Sequence, residues 1–216
     1  MPVESIAVKK KRVLKIITRL KEQYPDARCS LDFDTVHQLM VATILSAQCT
    51  DERVNLVTPV LFKRFTSVKE FAEASTEELE QMIYTTGFFR AKAKAIKESA
   101  QQLMEKFDGE IPRTLSELVT LQGVGRKTAS VILGAGFGLA EGVVVDTHVA
   151  RISRKLGLTR KNHPAKIERD LIEVIPKEEW IAFSHLLIFH GRSICVARAP
   201  RCGDCPVKEH CPGAEI

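Results

Sequence analysis

The sequence predicts an all-α protein of about ten helices, and three observations carry that reading. Apolar residues recur at spacings of three and four almost throughout the 216 residues. Strand signals reduce to Val143-Val144-Val145, three β-branched residues with no partner segment. Loops are short, and no internal repeat or low-complexity tract interrupts the pattern.

The elements follow in order. Val13, Ile16, Ile17, Leu20 and Tyr24 mark one apolar face of a first helix. Leu39, Ala42, Thr43 and Ser46 lie on a second that is apolar nearly all round. Glu52–Phe65 is periodic but contains Pro59, so that helix is expected to kink or break there. Thr76–Tyr84 opens with Ser75 or Thr76 as a cap and glutamates behind it, favourable at a helix N-terminus. Ala91–Phe107 is a long helix closed by Asp108-Gly109. Ile167, Leu171 and Val174 mark a further face. Trp180, Phe183, Ser184, Leu187 and Ile188 mark another, with a stop expected at Gly191.

Composition is that of an ordinary globular chain, 44% hydrophobic and 27% charged. A chain of this length makes one or two domains and needs no disulfides to fold. The net charge of +5 permits a polyanionic partner without requiring one. The longest charge-free stretch, Thr35–Thr50, is too short and too polar to span a bilayer, and the N-terminus has no apolar signal core. A cytoplasmic protein is expected, in which cysteines serve as ligands or buried hydrophobes.

Three constellations carry chemistry. Cys195, Cys202, Cys205 and Cys211 form a C-x6-C-x2-C-x5-C tail with almost no apolar content of its own. A metal or cluster closing those loops would supply the missing stability. Zinc and iron–sulfur both suit thiolates; only Cys202-x2-Cys205 has the tight spacing of a zinc knuckle, which favours a cluster. Cys29 and Cys49 stand alone and read as small core hydrophobes.

The second constellation is Leu121-Gln122-Gly123-Val124-Gly125, between a short helix at 114–120 and a second helix that starts near Gly125. Two glycines allow a sharp reversal through positive φ, and Val124 plugs the turn into the core. The free N–H groups at the start of the second helix make an anion site, as in a helix–hairpin–helix that holds a nucleic-acid phosphate without reading a base. An ordinary helix–helix turn would look much the same; Arg126 and Lys127 right behind it bring the two readings level.

The third is Lys127 with Asp146. The positive end of the helix dipole and the adjacent Arg126 disfavour the charged form of Lys127, and a neutral lysine is a nucleophile. Asp146 follows an apolar run and precedes a helix, so it either caps that helix or serves as a carboxylate for proton transfer and charge stabilisation. A solvated lysine and a mere cap are the plain alternatives.

Taken together, LQGVGRKTAS, VVDTHVARIS, ILSAQCTD at Ile44–Asp51, HGRSIC and the cysteine tail resemble the endonuclease III family of base-excision DNA glycosylases, in the family's order, from Pro25 to Cys211. The resemblance implies two helical domains with a cleft between them: a six-helix barrel with the hairpin at 28–140, and a cluster domain from 1–27 and 141–216. It implies Lys127 and Asp146 as catalytic residues and the four tail cysteines as ligands of a 4Fe–4S cluster. Gln48 matches the residue that enters the gap left by a flipped nucleotide, and Phe88 a hydrophobic wedge. Gly123, Val124, Gly125, Arg126, Thr128 and His148 fall on DNA-contacting positions, and Arg198 and Arg201 on a basic loop near phosphates.

The implied activity is a bifunctional DNA glycosylase and AP lyase that removes oxidised pyrimidines and cleaves 3′ to the abasic site through a lysine Schiff base. The implied partner is double-stranded DNA with damaged bases or abasic sites, met by a monomer with no membrane association in the nucleoid-bearing cytoplasm of a bacterium or archaeon. Adenine- and thymine-mismatch branches share much of the pattern, but Lys127 disfavours both. A non-catalytic DNA-binding module would bind without nicking, and a zinc tail would leave the protein colourless.

Overall fold

The computed structural model describes residues 4–214. Among the described residues there are eleven α-helices and no strand. They are α1 (Ile6–Gln23), α2 (Val36–Leu45), α3 (Asp51–Arg64), α4 (Val68–Glu73), α5 (Thr76–Ile83), α6 (Phe89–Phe107), α7 (Leu115–Leu118), α8 (Arg126–Val131), α9 (Thr147–Lys155), α10 (Pro164–Val174) and α11 (Trp180–Ser193). Val143–Val145 forms no strand; Val143 is simply buried. No helix is long and apolar enough to cross a membrane, among the described residues.

Most helix starts are written locally. Ser5, Thr35, Thr50, Ser67, Ser75, Thr114 and Asp146 each accept a hydrogen bond from the N–H three residues on. Such caps satisfy donors that the helix cannot, and each contributes about 1 kcal/mol. The end of α6 is equally local: Asp108 adopts a left-handed conformation and Gly109 follows at φ +81°.

The chain forms two compact units. One is Cys29–Glu141. Its core joins α2, buried nearly all round, to the inner faces of α3, α5 and α6, with Phe71, Leu79, Ile96 and Leu103 fully enclosed. Cys29 and Cys49 lie half-buried against this core, and burial pushes the Cys29 thiol up. The other unit joins Met1–Arg28 to Gly142–Ile216. Val13, Ile16, Ile17 and Leu20 of α1 pack there with Ile152, Ile167, Leu171, Phe183 and Leu187.

Of the kink or break expected at Pro59, the break does not occur: α3 runs through it as one element. Pro59 is on the exposed side, where water can satisfy the carbonyl that the missing N–H leaves behind. Nor does Gly191 stop α11, which continues to Ser193. A Cβ at Gly191 would stand 2.6 Å from His148 Nδ1 and 2.9 Å from Ile152 Cδ1. The glycine therefore marks a close approach of α11 to α9, not a terminus.

Candidate active site and cluster site

The hairpin between α7 and α8 is built on α6. Gly123 has φ +78°, and a Cβ there would meet the Ala95 Cβ at 2.7 Å, so the position requires glycine on two counts. Gln122 N–H donates to Gln102 Oε1 at 2.7 Å, and Val124 is buried. Of the two glycines that could supply positive φ, only Gly123 does so; Gly125 does not use its conformational freedom. It lies at φ −83°, and a Cβ there would meet nothing within 4 Å. Its lack of a side chain leaves the N-terminus of α8 open to approach. Arg126 and Lys127 are exposed in the first turn of α8, and Thr128 is half-buried behind them. The helix then loosens into a π turn at Ile132–Gly136, where a Cβ at Gly136 would stand 2.8 Å from Val36 Cγ1.

Gln48 and Phe88 belong to the same unit and share a backbone feature. Gln48 has φ +52° and Phe88 φ +48°, both left-handed and neither glycine. That conformation is sparsely populated for such residues and costs about 1–3 kcal/mol where it persists. Phe88 is 66% exposed, a large aromatic ring at the start of α6 with no apolar cover. A buried lysine, Lys92, stands between the two loops and was not singled out from sequence. The available signal is a lysine on the stripe Lys92–Ile96–Ser99–Leu103, whose other members are fully buried.

In the other unit, Asp146 is half-buried, and its Oδ1 accepts from Val149 N–H at 2.8 Å, capping α9. His148 is half-buried with its ring packed against Gly191 of α11. Arg198 is exposed. Arg201 donates to the Ser193 carbonyl, covering the C-terminus of α11.

The four tail cysteines line one pocket with Ile152, Leu156, Ile194 and Val207. Burial pushes the Cys205 and Cys211 thiols up, backbone N–H groups of Val207 and Gly213 oppose it, and the neighbouring cysteines push them further up. Thiolates crowded in this way need a cationic partner. Two nitrogens already face the sulfurs: Arg151 Nη1 lies 3.7 Å from Cys195 Sγ, and His190 Nε2 lies 3.6 Å from Cys205 Sγ. His190 is fully buried, and its Nδ1 stands 3.0 Å from the Tyr24 hydroxyl. Four thiols around one pocket suit the soft-metal chemistry of an iron–sulfur cluster.

The tail is docked by more than its sulfurs. Gly213 N–H donates to the Lys155 carbonyl at 3.0 Å. Arg12 donates to the Leu156 carbonyl at 2.7 Å and the His210 carbonyl at 2.9 Å, while pairing with Glu4 through two hydrogen bonds. That contact holds the Glu4 carboxyl below its ordinary range.

Comparison with known proteins agrees with this geometry. Residues 41–177 match the HhH-GPD superfamily of base excision DNA repair proteins. Residues 195–211 match the iron–sulfur binding domain of endonuclease III, and the cofactor is a 4Fe–4S cluster. The chain is 51% identical to the Endonuclease III of Synechocystis sp. over 99% of its own length and 97% of that protein's. A solved non-covalent Endonuclease III–DNA complex superposes at a TM-score of 0.89 with 39% identity, covering 95% of this chain and 96% of the other. A trapped Endonuclease III–DNA covalent intermediate superposes at 0.88, with the same identity and coverage. With the hairpin, the capped aspartate segment and the four-cysteine cavity in one chain, the protein belongs to the endonuclease III family of base excision DNA glycosylases.

Proposed function

We propose that the protein is a bifunctional DNA glycosylase and AP lyase acting on oxidised pyrimidines in duplex DNA, with Lys127 as nucleophile and Asp146 as its carboxylate partner. The observation that carries this reading is the exposed Lys127 amine in the first turn of α8, directly behind a turn open enough for a phosphate. A trapped covalent intermediate in a 39%-identical relative supports the same chemistry.

A base inside a duplex is out of reach, so the nucleotide must first leave the stack, at a few kcal/mol. Gln48 and Phe88 fill the space it vacates. The hairpin N–H groups of Gly123 and Gly125 and the cations Arg126, Arg198 and Arg201 hold phosphates, with Val124 anchoring the turn through its side chain and its N–H to the Leu121 carbonyl, and Thr128 and His148 completing the contact surface. Such contacts position the duplex without reading its sequence.

Lys127, as the neutral amine, bonds to C1′ of the sugar while the C1′–base bond breaks, and the base leaves with a proton. Asp146 accepts the proton that the amine gives up, or stabilises the positive charge developing on the sugar. The sugar ring then opens: the C1′–O4′ bond breaks, O4′ takes up a proton, and the iminium left at C1′ acidifies the C2′ proton. Loss of that proton expels the 3′ phosphate by β-elimination, and water releases Lys127. Cys195, Cys202, Cys205 and Cys211 would hold the 4Fe–4S cluster, whose bonds to the thiolates would fix the tail.

Borohydride reduces the iminium to a stable amine and so traps the enzyme on DNA. Wild-type protein should trap on a duplex carrying an oxidised pyrimidine, and Lys127→Gln should not. Equal trapping by Lys127→Gln would remove the lysine from its role.

A further inference from the structure

Lys92 is 5% exposed, in the first turn of α6. Its Nζ donates to the Leu45 carbonyl at 2.7 Å and to the Thr86 carbonyl at 2.7 Å. Leu45 is the last residue of α2, and the chain runs on through Ser46 and Ala47 to Gln48. Thr86 ends the 3-10 turn Tyr84–Thr86, and the chain runs on through Gly87 to Phe88. One amine thus holds a carbonyl just ahead of each loop, and both loops then enter left-handed backbone at Gln48, Gly87 and Phe88.

An apolar side chain would fill this buried place at lower cost than an amine. Burial lowers the Lys92 pKa, against the nearby Cys49 sulfur, which raises it. The hydrogen bonds compensate the burial only because both carbonyls face inward; Leu45 O is one of those left unsatisfied at a helix C-terminus, where a cation is favoured. Strained loops hold their shape only where the surroundings over-determine them. Lys92 supplies that constraint to two loops at once.

We infer that Lys92 is a positioning residue: by tying the Leu45 and Thr86 carbonyls together, it sets the spacing between Gln48 and Phe88 so that both side chains enter the duplex at one lesion. This rests on the proposed roles of Gln48 and Phe88 as the residues that fill the opened stack.

The test is a mutant cycle read by excision from a lesion-bearing duplex, with thermal midpoints measured beside it. Lys92→Met keeps the length of the side chain and removes its donors. It should slow excision about tenfold in the wild-type background and less than twofold in Gln48→Ala/Phe88→Ala, because coupled residues are not additive. The same fall in both backgrounds, as a merely structural role would give, overturns the inference. So does no fall in either.

If Gln48→Ala and Phe88→Ala themselves change nothing, the reading beneath the inference fails. If they slow excision and Lys92→Met does not, only the tie fails. A second measurement needs no variant: when wild-type protein binds a duplex with a stable abasic analogue, hydrogen exchange at 46–48 and 87–88 should slow by the same factor. Unequal protection overturns the shared tie.

Discussion

Gly123 is seated on Ala95: a Cβ at the turn glycine would stand 2.7 Å from the Ala95 Cβ, closer than side chains tolerate. The hairpin therefore takes its height above the core from α6. Gly123→Ala meets both this clash and the positive φ, and should cost about 1–3 kcal/mol. The thermal midpoint falls by about 2–4 °C for each kcal/mol in a chain of this size. Adding Ala95→Gly should relieve the clash, less about 1 kcal/mol for a glycine inside α6, and leave the share due to φ. Gly125→Ala should leave the midpoint unchanged, since its Cβ enters open space, yet weaken duplex binding at a phosphate-holding turn.

A second close approach decides a sign. Helix propensity favours alanine over an interior glycine by about 1 kcal/mol, so Gly191→Ala in α11 would stabilise an isolated helix. Here the new methyl meets His148 and Ile152. Overpacking of this kind typically costs about 1–3 kcal/mol. Denaturant unfolding should show the variant less stable than the parent, and a gain would show that α9 and α11 separate easily.

These two glycines show what sequence conveys and what it withholds. Periodicity gave the helical class, and short-range signals such as Ser75 before its glutamates, or Asp108-Gly109, placed helix ends, because caps and left-handed turns act within four residues. Gly191 reads as a stop for the same reason, and the structure overrules it because His148 stands far away in sequence. Pro59 follows the same logic, since only its solvent-facing position allows the helix to continue. The four cysteines and the hairpin were legible because their chemistry is contiguous. Lys92, Gln102 and Arg12 were not, since each acts on carbonyls or amides of distant segments that no spacing rule reaches.

His37 links stability to acid. Its ring packs edge-on against Phe71 at 5.1 Å, Nε2 has no hydrogen-bond partner among the described residues, and burial lowers its pKa from 6.5 to about 4. Above about pH 6.5 the ring is neutral in both folded and unfolded chains and adds no slope. As pH falls from there towards 4, the unfolded chain takes up a proton that the folded one refuses, and stability is lost. Between about pH 7 and about pH 5 the loss should be roughly 2 kcal/mol. His37→Leu should flatten the urea-midpoint profile over that window, and an unchanged profile would place the acid response elsewhere.

The Arg12 clasp makes a prediction about the cluster. One guanidinium joins α1 to the Leu156 carbonyl at the end of α9 and to the His210 carbonyl, beside Cys211. The tail has little apolar burial of its own beyond Val207, so its closure depends on the cluster and on such ties. Arg12→Met keeps the buried stem of the side chain and removes the donors, leaving two carbonyls and Glu4 without that partner. Unmet buried groups of this kind cost about 1–3 kcal/mol each. The expected result is faster loss of the brown visible absorbance when the holoprotein is held with an iron chelator. Lys21→Met, which removes only an exposed ion pair with Glu179, should bleach at the parent rate. If Arg12→Met also bleaches at the parent rate, the cluster and its thiolates close the tail without help from α1.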